Sequence, residues 1–149
     1  MTKNEQKSIK GIRYFDEISE GMSAKISRII GEEDIVAFAE VTGDKNPIHL
    51  DVEYAASSIF GQRICHGMLV AGLISAVFGC HFPGNGWVYV NQSLQFRGPV
   101  FIGEEVTITV TVKKLIFRKQ LVEFGIIASV EKKKIITGVA TLMSPKRYA

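Results

Sequence analysis

Between Cys65 and Phe82 the chain carries no Asp, Glu, Lys or Arg. A helix built from such a stretch has no polar face to turn toward water, so it must be enclosed by a membrane or by a protein core. The membrane is a poor fit. A spanning helix needs roughly 20 consecutive apolar residues. This stretch is marginal in length, holds His66 and His81, and is bounded by Arg63 and Pro83. It therefore predicts a buried core helix, opening near Gly67 and ending before Pro83-Gly84-Asn85-Gly86, a strong turn signal. The remaining residues must then supply cover for that helix on all sides.

Strands are available to do so. Glu105 to Phe117 alternates almost ideally, with Val106, Ile108, Val110 and Val112 on one face and Thr107, Thr109, Thr111 and Lys113 on the other. Val88, Val90, Ser93, Leu94 and Phe96 belong to an earlier strand, and Ser23–Ile30, about Leu121–Glu131 and Ile135–Met143 supply three more. Short polar hairpins can join the later strands, so the ladder is expected to be antiparallel. An antiparallel sheet wrapped around a long buried apolar helix satisfies every element. That is an α+β arrangement of the hot-dog type. One small sheet leaves part of such a helix uncovered and a strand edge free, which predicts at least a homodimer.

At 149 residues the chain is the size of one ordinary domain, with 46% hydrophobic and 22% charged residues; that composition can fill a core. We expect a polar lead-in over residues 1–13, lacking the apolar stretch of a secretory signal, and a single domain over residues 14–149. A net charge of +3 is too mild for a nucleic-acid binder. Cys65 and Cys80 match no zinc or redox spacing and read as reduced hydrophobic fillers of a cytoplasmic protein.

Polar chemistry concentrates elsewhere. From Glu32 to Thr42 the period becomes helical, with Glu32, Glu33 and Asp34 in the first turn and Gly43 as C-terminal cap. Asp44-Lys45-Asn46-Pro47-Ile48-His49 then reads as a loop, followed by a short helix from the N-cap Asp51 to about Ser58. Asp44 and His49 are five residues apart. On a helix they would point about 140° from one another, but across a turn fixed by Pro47 they can converge on one water. A carboxylate and an imidazole around one water form an acid–base pair for adding or removing it. The same residues also make an ordinary turn, and a lone histidine is often structural; spacing alone leaves both readings open.

The run from Phe38-Ala39-Glu40-Val41-Thr42-Gly43 through Asp44-Lys45-Asn46-Pro47-Ile48-His49, with Ala55-Ala56 following, resembles the hydratase-2 motif of the MaoC-like family. The likeness continues through Ile64-Cys65-His66-Gly67-Met68-Leu69, Ser75 and Tyr89-Val90-Asn91-Gln92-Ser93-Leu94-Gln95-Phe96. It covers nearly the whole chain from about Tyr14 onward. The resemblance implies an (R)-specific enoyl-CoA hydratase that adds water to C3 of a trans-2-enoyl thioester, giving an (R)-3-hydroxyacyl thioester, with no cofactor and no metal. The spacings of His49, His66 and His81 also fit no zinc pattern.

By position in that motif, Asp44 and His49 would activate the water and Asn46 would support their loop. The Gly67 N–H would face the thioester carbonyl, and Ser75 would orient Asp44 unless it bonds its own backbone instead. Phe78, one turn after Ser75, would shorten the acyl pocket and favour short chains. His66 reads as a hydrogen-bonded element of the turn entering the helix. Basic residues gather at Lys113-Lys114, Arg118-Lys119 and Lys132-Lys133-Lys134. They suit either a solvated surface or a landing site for an anionic carrier, whether coenzyme A or an acyl carrier protein (ACP). The same chemistry run backwards, in a 3-hydroxyacyl-ACP dehydratase, is the nearest alternative. A hot-dog thioesterase and a non-catalytic acyl-CoA sensor are more distant ones. Neither a nucleic acid nor a membrane is an expected partner.

Overall fold

The computed structural model describes residues 13–147; of the expected lead-in, residues 1–12 lie outside the described residues. After a single 3-10 turn at Phe15–Glu17, β1 (Ser23–Ile29) runs into α1 (Glu32–Thr42). The Gly31 N–H donates to Asp34 Oδ2 at 2.9 Å, and the acidic first turn complements the helix dipole. At the other end Gly43 takes φ 77° and donates to the Ala39 carbonyl at 2.9 Å. This is a left-handed cap that glycine adopts without strain.

The segment expected to be a loop contains a helical turn, α2 (Pro47–Leu50). Proline is tolerated at the first helical position because the N–H it lacks would have no partner there. Asn46 caps the turn, its Oδ1 accepting from the Ile48 N–H at 3.2 Å. Asp51 caps α3 (Val52–Ala56) in the same way, through the Tyr54 N–H at 3.0 Å. That helix stops at Ala56, short of Ser58, whose hydroxyl donates to the Ala55 carbonyl at 2.6 Å.

The apolar stretch forms α4 (Gly67–Ala76), which widens into a π-type turn over Val77–His81. Four strands follow: β2 (Val88–Phe96), β3 (Glu105–Ile116), β4 (Leu121–Val130) and β5 (Lys133–Met143). With β1 they make one antiparallel sheet in the order β1-β3-β4-β5-β2. The β3 alternation places Val106, Ile108, Val110 and Val112 in the core as expected. Val70, Ile74, Val77 and Phe78 join the same cluster. Phe124 of β4 is its hub, with ring centroids at 4.8 Å from Phe78, 6.0 Å from Phe82 and 6.5 Å from Trp87.

The described residues of one chain do not cover the helix on all sides. Met68 is 56% exposed, and Gly72, Ser75, Ala76 and Cys80 of the same helical stretch also face outward. Beside this open face the edge strand β2 shows Val88, Val90 and Phe96, each about half exposed. Hydropathy marks the helix as apolar all round, but one sheet can cover only one side of it. Of the two cysteines, Cys65 is buried and its thiol is pushed up to about 12 by burial, with the Asp34 charge adding to the shift. Cys80 is exposed and so is no core filler.

The Phe124 hub gives a direct stability test. Phe124→Ala should cost about 3–5 kcal/mol, the range for losing a buried aromatic ring. Val41→Ala, at an 83% exposed position, should change stability by less than about 0.5 kcal/mol. Urea melts with similar midpoints for both would contradict this account of the core.

Candidate active site

Two chain segments meet at the N-terminus of α4: the turn from Thr42 to Leu50, and the entry Ile64-Cys65-His66. Thr42 begins the turn by donating its hydroxyl to the Phe38 carbonyl at 2.6 Å and accepting from the Asp44 N–H at 3.1 Å. Asp44 Oδ1 in turn accepts from the Asn46 N–H at 3.3 Å. Asn46 thus supports the loop twice, by its own N–H and by capping α2. The α2 turn brings His49 inward, where it is 8% exposed, while Asp44 stays at the surface. A carboxylate oxygen of Asp44 and ring nitrogens of His49 and His66 all lie within 4.8 Å of one another. One water making two ordinary hydrogen bonds at a tetrahedral angle spans roughly 4.6 Å, so this spacing suits a shared water.

The ring chemistry of His49 follows from its partner. Nδ1 lies 2.8 Å from the Ile64 carbonyl, which can only accept. Nδ1 therefore carries the hydrogen, and Nε2 of the neutral ring holds a free lone pair. Burial lowers the pKa of His49 below its ordinary 6.5. The Ile64 hydrogen bond opposes that shift, the neighbouring His66 adds to it, and Asp44 opposes it. The ring is thus a neutral base at pH 7. The His66 ring stacks on it with centroids 3.8 Å apart and planes 29° from parallel.

Sequence reasoning missed Arg63. Its Nε donates to the His49 carbonyl at 2.7 Å, and its two terminal nitrogens hold the Glu32 carboxylate at 2.9 Å each. One side chain so fixes α2 against the start of α1. The signal was present, as Arg63 bounds the apolar stretch, but its partners lie far off in sequence.

Gly67 opens α4, where first-turn N–H groups lack helical acceptors. A Cβ at Gly67 would come within 2.9 Å of the Phe96 ring, so only glycine lets that ring lie over the helix start. A cavity of about 480 Å³ opens beside it, with Ile64, Val70, Phe96, Val100 and Ile136 in its walls. Ser75 lies on the open face of α4 and makes no side-chain hydrogen bond to Asp44 or to its own backbone among the described residues. Phe78 is buried between Tyr89, at 5.7 Å, and Phe124. The basic clusters converge only in part: Lys113 and Lys134 line one groove on the sheet together with Arg97. Arg118-Lys119 sits in the β3–β4 connection and Lys132-Lys133-Lys134 at the β4–β5 hairpin, the opposite end of β4.

Residues 15–136 match the family described as MaoC like domain. The chain belongs to the MaoC-like family. It is 48% identical over 136 residues to the (R)-specific enoyl-CoA hydratase of Rhodospirillum rubrum, covering 91% of this chain and 94% of that one. It is 42% identical over 136 residues to the 3-hydroxybutyryl-CoA dehydratase of Methylorubrum extorquens, covering 91% and 87%. Among solved structures, the unliganded R-hydratase PhaJ1 of Pseudomonas aeruginosa superposes with a TM-score of 0.85 at 36% identity, covering 90% and 86%. The fold of this MaoC-like chain is the hot-dog fold, as the sequence predicts.

The tautomer is directly measurable. Nitrogen-15 shifts of the imidazoles should show His49 protonated at Nδ1 near neutral pH, with a titration midpoint below 6.5. An Nε2–H form would remove the free lone pair on which the acid–base reading depends, and a midpoint at or above 6.5 would contradict the effect of burial.

Proposed function

We propose that this protein catalyses the reversible hydration of trans-2-enoyl-CoA thioesters to (R)-3-hydroxyacyl-CoA thioesters, with Asp44 and His49 as the catalytic pair. The observation that carries this reading is the forced Nδ1–H tautomer of a buried, neutral His49 beside an exposed carboxylate. That arrangement sits in a chain nearly half identical to an enzyme named for this reaction.

In hydration, His49 Nε2 takes a proton from the water while Asp44 accepts its other hydrogen and aims the oxygen. The oxygen bonds to C3, and the electron pair of the double bond moves onto the thioester carbonyl as an enolate. The Gly67 N–H at the start of α4 faces that oxyanion, where a helix N-terminus favours negative charge. The imidazolium of His49 then returns its proton to C2. One water is consumed, both of its parts are delivered from one site, and the residues end as they began. Dehydration runs the same steps backwards.

The enoyl group enters the cavity beside Gly67. Phe78 is packed in the core against Tyr89 and Phe124 and does not line this cavity; it limits chain length only for an acyl tail that extends along α4 toward that ring. Ser75 stands on the open face of α4, and no hydrogen bond brings it to Asp44 among the described residues. We further propose a homodimer or higher homo-oligomer that covers this face and the β2 edge. The half-exposed Val88, Val90 and Phe96 support that reading, since such apolar edges favour pairing with another chain. Two unpaired thiols support a cytoplasmic location. No helix among the described residues is long and apolar enough to cross a membrane.

Loss of enoyl absorbance on crotonyl-CoA tests the reaction. Asp44→Asn and His49→Ala should each lower kcat by about 10²-fold or more, the usual contribution of a positioned acid or base. Near-wild-type rates in both variants would overturn the site assignment. A strong preference for crotonyl-ACP over crotonyl-CoA would move the protein to the carrier-protein dehydratase reading, and release of free thiol would move it to thioesterase. Phe78→Ala, checked for folding, should gain activity on longer enoyl chains. Light scattering should give a multiple of the chain mass that Val90→Asp reduces to one.

A further inference from the structure

We propose that His66 is a positioning residue for the catalytic pair: one edge of its ring holds the Asp44 main chain while its face supports the His49 ring, so that both groups address one water. This inference rests on the hydratase reading.

The geometry starts from a forced tautomer. His66 Nε2 lies 3.0 Å from the Asp44 carbonyl oxygen, so Nε2 carries the hydrogen and donates. The other nitrogen, Nδ1, is buried and has no partner among the described residues. The whole side chain is 1% exposed, wedged between Phe38, at a centroid distance of 4.7 Å, and His49, at 3.8 Å. An orphaned buried nitrogen weakens a fold, and a phenyl ring would fill the same slot without that penalty. What phenyl lacks is the N–H that reaches Asp44. That bond joins residues 22 apart in sequence and ties the acidic turn to the entry of α4. Through it, the Asp44 main chain and the His49 ring both register on one rigid plate beside Gly67.

The plate also acts on charge. The charged and titratable groups around His49 are Asp44 from the turn, His66 from the α4 entry, and Arg63, bonded to the His49 carbonyl and neutralised by Glu32 of α1. Among these, the second imidazole stacked at 3.8 Å makes it harder to charge His49, because two cations would then share one contact. The base form therefore persists to lower pH than it would beside a neutral neighbour.

Two variants separate the functions of the ring. His66→Phe keeps a flat face and loses the donor; His66→Gln keeps an N–H near the Nε2 position and loses the stack. With only three histidines in the chain, His49 can be followed by NMR in each. His66→Phe should melt at or above the wild-type temperature and lose roughly tenfold or more in kcat, the scale of a small misplacement, with KM little changed. His66→Gln should recover most of that kcat. In both, His49 should titrate at higher pH than in wild type.

Wild-type kcat in His66→Phe, or activity losses that merely track lowered melting temperatures, would overturn the proposal. An unmoved His49 titration in both variants would also overturn it, even with crotonyl-CoA hydration intact in the wild type. If instead the wild type hydrates no enoyl thioester, but His49 shifts upward in both variants, the hydratase reading fails and the physical coupling of the two rings stands.

Discussion

The contact of Ile74, Val77 and Phe78 with the inner face of the sheet decides where every other element can go. These side chains bury against strands that present Val106, Ile108, Phe124 and Ile126 from the same side. A sheet whose strands alternate cannot slip by one residue without turning that set outward, so the helix and the registers of β3 and β4 fix one another. Once α4 is held, its N-terminus is held. The enoyl carbonyl needs a rigid donor, and a backbone N–H at the start of a core helix is as rigid as this fold offers. The proposed site is assembled at that helix end.

The chemistry is then brought to that end by polar contacts of long sequence range. Arg63 links Glu32 of α1 to the His49 carbonyl, and His66 links the α4 entry to Asp44. The Ile64 carbonyl chooses the tautomer of His49. Each bond is a main-chain or paired contact in a partly dry environment, where misplacing a partner leaves a buried group unsatisfied. The side chains of the proposed catalytic pair are consequently set largely by the backbone around them.

Much of this was legible in the sequence wherever a local rule applied. The alternation of Val106 to Val112, the glycine cap at Gly43 and the Asp51 cap each depend on neighbours within a few residues, and each appears where the pattern places it. Pro47 misled because proline both breaks helices and begins them; the decision lay in whether Asn46 could cap the Ile48 N–H. The open face of α4 was half legible, since hydropathy marks the helix as buried without saying by what. Arg63 and the stacking of His66 on His49 were illegible, because their partners arrive only when distant segments fold together. The motif located Asp44 and His49, but the tautomer that distinguishes their roles needed the Ile64 carbonyl.

Those roles follow from unequal surroundings. His49 is 8% exposed while Asp44 lies at the surface. Burial suppresses the charged imidazolium and leaves a lone pair waiting for a proton. Asp44 keeps its access to water, so it can recruit and orient the reactant without being its final proton acceptor. Under the proposed mechanism, two titratable groups in different dielectrics would divide the work of one water between them. In the proposed homo-oligomer, a second copy over Ser75, Met68 and the β2 edge would exclude water from the helix at whose start the proposed pair stands. Stronger electrostatics at both groups would follow, since each interaction gains as water leaves. On that proposal a single helix serves twice: the face that the sheet buries holds the fold, and the face that it leaves open is where a second copy would pack.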